Sequence, residues 1–393
     1  MLGRKGLRVL HICNDFFGTP VYTRLFKSLD RLGVDQTILV FLRNDQVATI
    51  RKMKAQLTKE HRVVTVQLSK GVSSLGRVVP SLRNKYVLKS LKDRIDFNSF
   101  DIIHAHTLFS NGSLARKISK ESGLPYLLSV RSVDVNMAYT YLRHLRYSAR
   151  QTTLGASNLI FLNPAHKHKL ESWFREQSNQ NNVKFKSNII PNQIDKKWFK
   201  NLGNPKSLKD SREIKVVFVG ELTPNKNIEF LLEVFRENWL DDYRFEVDVI
   251  GHINLTSKGR KYAKAITEQI ARQKNSKFLG EIRDFEQLKK QISEADIFFM
   301  VSQFETFGLV YIEAISQGTP IIYTKGQGID GYFKNGEVGH AVKAGQIEEA
   351  RNAVKMIIDN YETMSINCLN RVQEFKETSI VEKCKSIYES IIE

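Results

Sequence analysis

Glu305 and Glu313 are separated by seven residues that include Thr306, Phe307, Gly308 and Leu309. Just before them, Asp296–Val301 (DIFFMV) is a short, Phe-rich apolar run of the kind that forms a buried strand. The run breaks at Ser302–Thr306. Val310, Tyr311, Ala314 and Ile315 then recur at helical spacing until Gly318 stops them. A helix that opens beside a sheet presents unpaired N–H groups and the positive end of its dipole, so Thr306–Leu309 suits a phosphate. Two carboxylates frame that stretch at different depths. The combination fits a diphosphate with hydroxyl-rich sugars at both ends. A strand-loop-helix with one Glu occurs in any doubly wound protein, so spacing alone leaves a sugar-nucleotide site and a structural loop both open.

Further candidates lie at other strand ends. Lys215–Gly220 (KVVFVG) reads as a strand followed by the loop Glu221–Lys226. Pro125–Val130 (PYLLSV) ends at Arg131 and, three residues on, Asp134. Arginine cannot serve as a base near neutral pH, but it can hold a phosphate, an anionic acceptor or a donor sugar. A structural strut made by Arg131 with Asp134 is the competing reading. Leu7–Cys13 is a first strand, and its loop, Asn14–Pro20, carries Gly18 at the carboxyl edge, where open α/β sheets bind ligands.

The elements that must position these residues alternate strand and helix along all 393 residues, a length that suits two cores. Residues 1–200 hold 34 Lys and Arg against 13 Asp and Glu, whereas residues 201–393 hold 26 against 29. The basic half implies a polyanionic partner: anionic lipid, a lipid diphosphate or a charged polymer. No nucleic-acid-binding signature accompanies it. Pro80 opens a helix whose Leu82, Tyr86, Val87 and Leu91 share a face, with Arg83, Lys85, Lys89 and Lys92 as basic neighbours. It reads as an interfacial helix on an anionic membrane surface or as an ordinary helix packing that face on the sheet. Cys13, Cys368 and Cys384 are widely spaced and odd in number, which points to reduced thiols in a cytoplasmic protein. His104 and His106 lack nearby cysteine partners, so no metal site is expected. His166, His168 and Lys169 read as a solvated helical face.

Glu305-x7-Glu313 with Phe307-Gly308-Leu309 inside it, then Gly318-Thr319-Pro320, resembles the signature of the retaining glycosyltransferases of family 4. So do Val219-Gly220-x-Leu222-Thr223-Pro224-x-Lys226-Asn227, Ile190-Pro191-Asn192 and the Gly326–Gly331 stretch. The resemblance implies an α/β GT-B fold, two Rossmann-like parallel-sheet domains facing across a cleft. Residues 1–200 would bind the acceptor and 201–376 the nucleotide sugar, with a hinge over Lys196–Arg212 and a helix at 377–393 crossing back. It implies that Glu305 contacts the transferred sugar, the Phe307–Leu309 amides and Lys226 the diphosphate, and Glu313 the ribose. Gly18 would lie near donor phosphate and acceptor, with Arg131 and Asp134 at the reaction centre. The implied co-substrate is a nucleoside diphosphate sugar, UDP-linked, with no other cofactor. No Asp-x-Asp motif is present to hold a metal. The implied acceptor is a lipid-linked or polymeric glycan in cell-surface polysaccharide synthesis at the inner face of the membrane. The chain departs from the family at Arg131, where many members carry His, and at Glu221, where Arg is usual. A sugar-nucleotide epimerase and an idle scaffold that binds an anionic polymer are the alternatives.

Overall fold

A computed structural model describes residues 6–42, 62–177, 185–208, 212–236, 239–254 and 256–393. Residues 209–211 of the expected hinge lie outside them. The described chain forms two compact units. One comprises residues 1–162, 166–193 and 377–393, and the other 163–165 and 194–376.

The first unit is built on strands β1 (Arg8–Ile12), β2 (Asp35–Leu42), β3 (Arg62–Gln67), β4 (Ile102–Ala105), β5 (Tyr126–Val130), β6 (Asn158–Phe161) and β7 (Ser187–Ile189). All pair in parallel, in the order β3-β2-β1-β4-β5-β6-β7. Helices cover both faces, so the inner strands read as unbroken apolar runs. On one face Val87 and Leu91 of helix Pro80–Leu91 pack with Leu39 and Phe41 of β2. On the other, helix Glu377–Ile392 buries Ile380, Val381, Cys384, Ile387 and Tyr388 against Val9, Ile38 and Ile102.

Two sequence expectations change here. Helix Pro80–Leu91 turns Arg83, Asn84, Val87 and Leu91 inward, while Leu82 and Tyr86 are exposed. The buried face is thus rotated from the one expected. The cause is polar: Arg83 and Asn84 find hydrogen-bond acceptors on Ser110 and Ser113, which lowers the cost of burying them. His166 is buried, not solvated, while Lys169 is half-buried and donates to Asn136 Oδ1 at 2.8 Å.

The second unit is built on β8 (Glu213–Val219), β9 (Arg244–Ile250), β10 (Ser276–Gly280), β11 (Ile297–Met300), β12 (Ile321–Thr324) and β13 (Gly339–Val342). They are parallel, in the order β10-β9-β8-β11-β12-β13. In each sheet the chain runs outward to one edge and then restarts beside its first strand. The order therefore reverses between β1 and β4 in one unit and between β8 and β11 in the other. The loops leaving the carboxyl ends of such a strand pair diverge and leave a crevice, the place where open α/β sheets take ligands.

Candidate active site

The reversal in the second sheet brings together Lys226, from the loop after β8, and Glu305, from the loop after β11. Lys226 Nζ lies 2.7 Å from Glu305 Oε2, in an ion pair whose two side chains are mostly shielded from solvent. Both residues are positioned by their loops. Asn225 stitches the two loops together: its side chain donates to Phe304 O at 2.9 Å and accepts from Phe304 N at 3.0 Å, and its carbonyl accepts from Gln303 N. Asn227 sits in the left-handed region, φ 54°, and donates to Val301 O. Glu305 also accepts from Ser302 Oγ at 3.3 Å and from Thr306 N at 3.1 Å. Gly328, from the loop after β12, donates its amide to Glu305 O. Its φ of +59° and a would-be Cβ 3.0 Å from Glu305 Cγ make any side chain there strained and tight against Glu305.

Past Glu305 the chain enters helix Leu309–Ile315, capped by Gly308 at φ 79°. The helix is shorter than its apolar spacing suggests, because the chain turns after Ile315 towards Gly318. Thr306 is exposed, and Asn163 Nδ2 donates to its carbonyl at 2.9 Å. Phe307 is buried against Tyr332 and Phe375, so only its backbone can meet a ligand. Glu313 lies on the helix and is half-buried. Glu221, the departure from the family pattern, accepts from Asn254 Nδ2 at 2.8 Å and lies 3.6 Å from His252 Nε2. Its carboxylate is engaged there while Lys226 is engaged by Glu305.

In the first unit Asp134 is buried and accepts from the amides of Leu108, Phe109 and Arg131 at 3.0, 3.3 and 2.9 Å. Burial pushes its carboxyl up to about 6, against the pull of those amides and of Arg131. The Arg131 guanidinium reaches Asn192 Oδ1 and His106 O and lies over the Tyr22 ring. The expected Arg131–Asp134 strut therefore runs through the Arg131 amide, and the guanidinium goes elsewhere. Gly18 is exposed in the turn after β1, where a Cβ would meet Asp15 O at an ordinary 3.4 Å.

Two features escaped the sequence reading. His11, His104 and His106 converge in the core of the first unit, their nearest nitrogens within 4.8 Å of one another. His11 Nδ1 and His106 Nε2 share a hydrogen bond of 3.0 Å, while both nitrogens of His104 are engaged, with Tyr388 OH and Ser129 Oγ. That is the pattern of a neutral, hydrogen-bonded core network. The signal was present: His106 follows one residue past the end of β4 at a spacing of two from His104, and His104 pairs with His11 of β1. The second feature is Arg83, which lines a cavity beside Asn14, Asp15 and Asp134.

Residues 200–369 match the family described as Glycosyl transferases group 1. The second unit belongs to that family, and the chain has the GT-B fold. It is similar to the UDP-Gal:alpha-D-GlcNAc-diphosphoundecaprenol alpha-1,3-galactosyltransferase of Escherichia coli, with 26% identity over 339 residues, 79% of this chain and 82% of that one. A probable sucrose-phosphate synthase of Thermosipho melanesiensis is 33% identical over 187 residues, 46% of this chain and 41% of that one. The chain thus matches less than half the length of that relative. In overall structure it is similar to a sucrose-phosphate synthase from Thermosynechococcus elongatus, with a TM-score of 0.71 and 16% identity, covering 98% of this chain and 99% of that one.

Proposed function

We propose that the protein is a retaining glycosyltransferase of family 4 that moves a hexosyl or N-acetylhexosaminyl group from a UDP-sugar to a hydroxyl of a lipid-linked or polymeric glycan. The observation that carries this reading is the meeting of Lys226 and Glu305 at the strand-order reversal of the second sheet. Lys226 Nζ has three donors, one on Glu305 Oε2 and one in a weak contact with Met300 Sδ at 3.6 Å, so the third can turn to a diphosphate oxygen. The amides of Phe307–Leu309 face the same anion, and Glu305 holds hydroxyls of the transferred sugar. Glu313 takes the ribose. A UDP donor and a lipid diphosphate acceptor both occur in the name of the Escherichia coli relative, which supports the same classes here.

In this reaction the bond from the sugar's anomeric carbon to the diphosphate oxygen breaks as the acceptor oxygen bonds to that carbon on the same face. The acceptor's proton passes to the departing diphosphate. Lys226 and the amides stabilise the charge that develops there, without a metal ion. Arg131 and Asp134 belong to the acceptor side, where the guanidinium orients the acceptor.

The test is a transfer assay with UDP-hexoses and a lipid-linked acceptor, reading UDP release and, by NMR, the anomeric configuration of the product. Glu305→Gln keeps the volume and a hydrogen-bonding end. It is expected to lower kcat by roughly 100-fold or more while circular dichroism shows the fold retained. Full turnover by Glu305→Gln would contradict the assignment.

A further inference from the structure

At the strand-order reversal of the first sheet a cavity of about 340 Å³ opens between the loops after β1 and β4 and the helices Lys70–Val78 and Pro80–Leu91. Asn14, Asp15, Ser110 and Arg83 line it. Arg83 is only 8% exposed. Its Nη2 donates to Ser110 O, Ser113 Oγ and Asn84 Oδ1 at 3.0–3.1 Å, and its Nε to Asn84 Oδ1 at 3.3 Å. The guanidinium carbon lies 4.9 Å over the Phe41 ring. Every one of these partners is neutral, and among the described residues no carboxylate lies within ion-pairing distance of Arg83.

A buried cation without a counter-ion is costly, and burial draws the guanidinium down to about 10. The fold nonetheless holds it firmly. A Cβ on Gly76 would come within 2.7 Å of Arg83 Cβ, so glycine at 76 is what lets the two helices close on the arginine stem. Nη1 carries two N–H donors and makes one contact, 3.4 Å to Ser110 Oγ. An incoming oxyanion would gain a charge-assisted hydrogen bond there and supply the missing counter-charge. The cavity's two carboxylates do not supply it. Asp134 is tied to backbone amides, and Asp15 stands exposed at the mouth, suited to accept from sugar hydroxyls.

We infer that this cavity is the acceptor site and that Arg83 selects acceptors carrying an oxyanion, a phosphate or a carboxylate, next to the sugar. The inference rests on the reading of the first unit as the acceptor side and names the acceptor's chemical class. Leu75, Val78, Val79 and Leu82, exposed on the two helices that wall the cavity and at the junction between them, offer a lipid-borne phosphate an apolar flank that a free one would not use.

The test is calorimetric titration of the full chain with glucose, glucose 1-phosphate, glucuronate and farnesyl phosphate, for the wild type and Arg83→Gln. An oxyanion probe that binds the wild type at least tenfold more tightly than glucose, and loses roughly 10- to 100-fold in Arg83→Gln, supports the inference. Farnesyl phosphate much tighter than glucose 1-phosphate assigns a lipid-borne anion, and equal affinity assigns a free headgroup. Oxyanions binding no better than glucose, or equally well to both proteins, overturn it. UDP titrated into the same samples reports the donor unit independently: UDP bound with no oxyanion effect defeats this inference alone, whereas absence of UDP binding defeats the proposed function. Should Arg83→Gln fail to fold, Arg83→Lys keeps the charge without the fork. The Arg83 Nε–Hε NMR resonance of the wild type must then move with glucose 1-phosphate and stay fixed with glucose.

Discussion

Gly308 shows how tightly single residues hold the candidate site. It occupies a left-handed conformation at φ +79°, and a Cβ there would sit 2.3 Å from two carbons of the Tyr311 ring. Tyr311 cannot yield easily, because it is fully buried and its hydroxyl donates to Met300 O at 2.6 Å. Gly308→Ala should therefore cost about 1–3 kcal/mol of stability in urea unfolding and weaken nucleotide binding in the same protein. A variant as stable as the wild type would mean that the turn is not as tight as described. Glycine at 308 and glycine at 18 thus differ in kind. The first answers a steric demand, while the second lies where a side chain would fit. That difference is invisible in the sequence, which shows one letter at both positions.

At the scale of elements, the helix Glu377–Ile392 is tied to the histidine network of the first unit through Tyr388 OH and His104 Nδ1, 2.7 Å apart. Burial holds His104 and His106 well below the ordinary histidine range, so both stay neutral in the fold. Unfolded, each titrates near 6.5. As pH falls through that value the unfolded chain takes up protons that the native one refuses, so stability drops. Each histidine contributes about 1.4 kcal/mol per pH unit below about pH 6.5. Asp134 acts in the opposite sense, because its native carboxyl is raised to about 6 and binds a proton before the unfolded one does. Urea unfolding of His106→Gln and the wild type between pH 7 and 5 isolates one histidine, and the variant's stability should fall by about 1.4 kcal/mol less per pH unit. Equal slopes would mean that His106 takes up its proton in the fold as readily as in the unfolded chain. Strands were legible in the sequence because they are buried on both faces and read as continuous apolar runs, as in β11 and β12. The inward face of helix Pro80–Leu91 was not, because it depends on acceptors at Ser110 and Ser113, distant in sequence, that allow an arginine inside. The network was half legible: the His104-x-His106 spacing is visible, but its third member arrives only through the pairing of β4 with β1.

At the scale of the whole chain, two parallel sheets share one topological device, a reversal of strand order that opens a crevice at the carboxyl edge. The charge excess of the first half belongs with the unit in which Arg83 and Arg131 lie, and the near-neutral second half with the unit that carries Lys226 and Glu305. Lys226 and Glu305 were legible because each lies in a loop that leaves the carboxyl end of a strand. Their contact was not, since it requires β8 and β11 to be neighbours although more than seventy residues separate them in sequence. In the proposed function the second unit binds a nucleoside diphosphate through Lys226 and the Thr306–Leu309 turn. A thermal-shift panel of UDP, GDP and ADP on the wild type and Lys226→Ala tests it most directly. UDP should raise the wild-type melting temperature clearly above the other two, and Lys226→Ala should lose most of that rise. No shift with any nucleotide, or an undiminished UDP shift in Lys226→Ala, would contradict it.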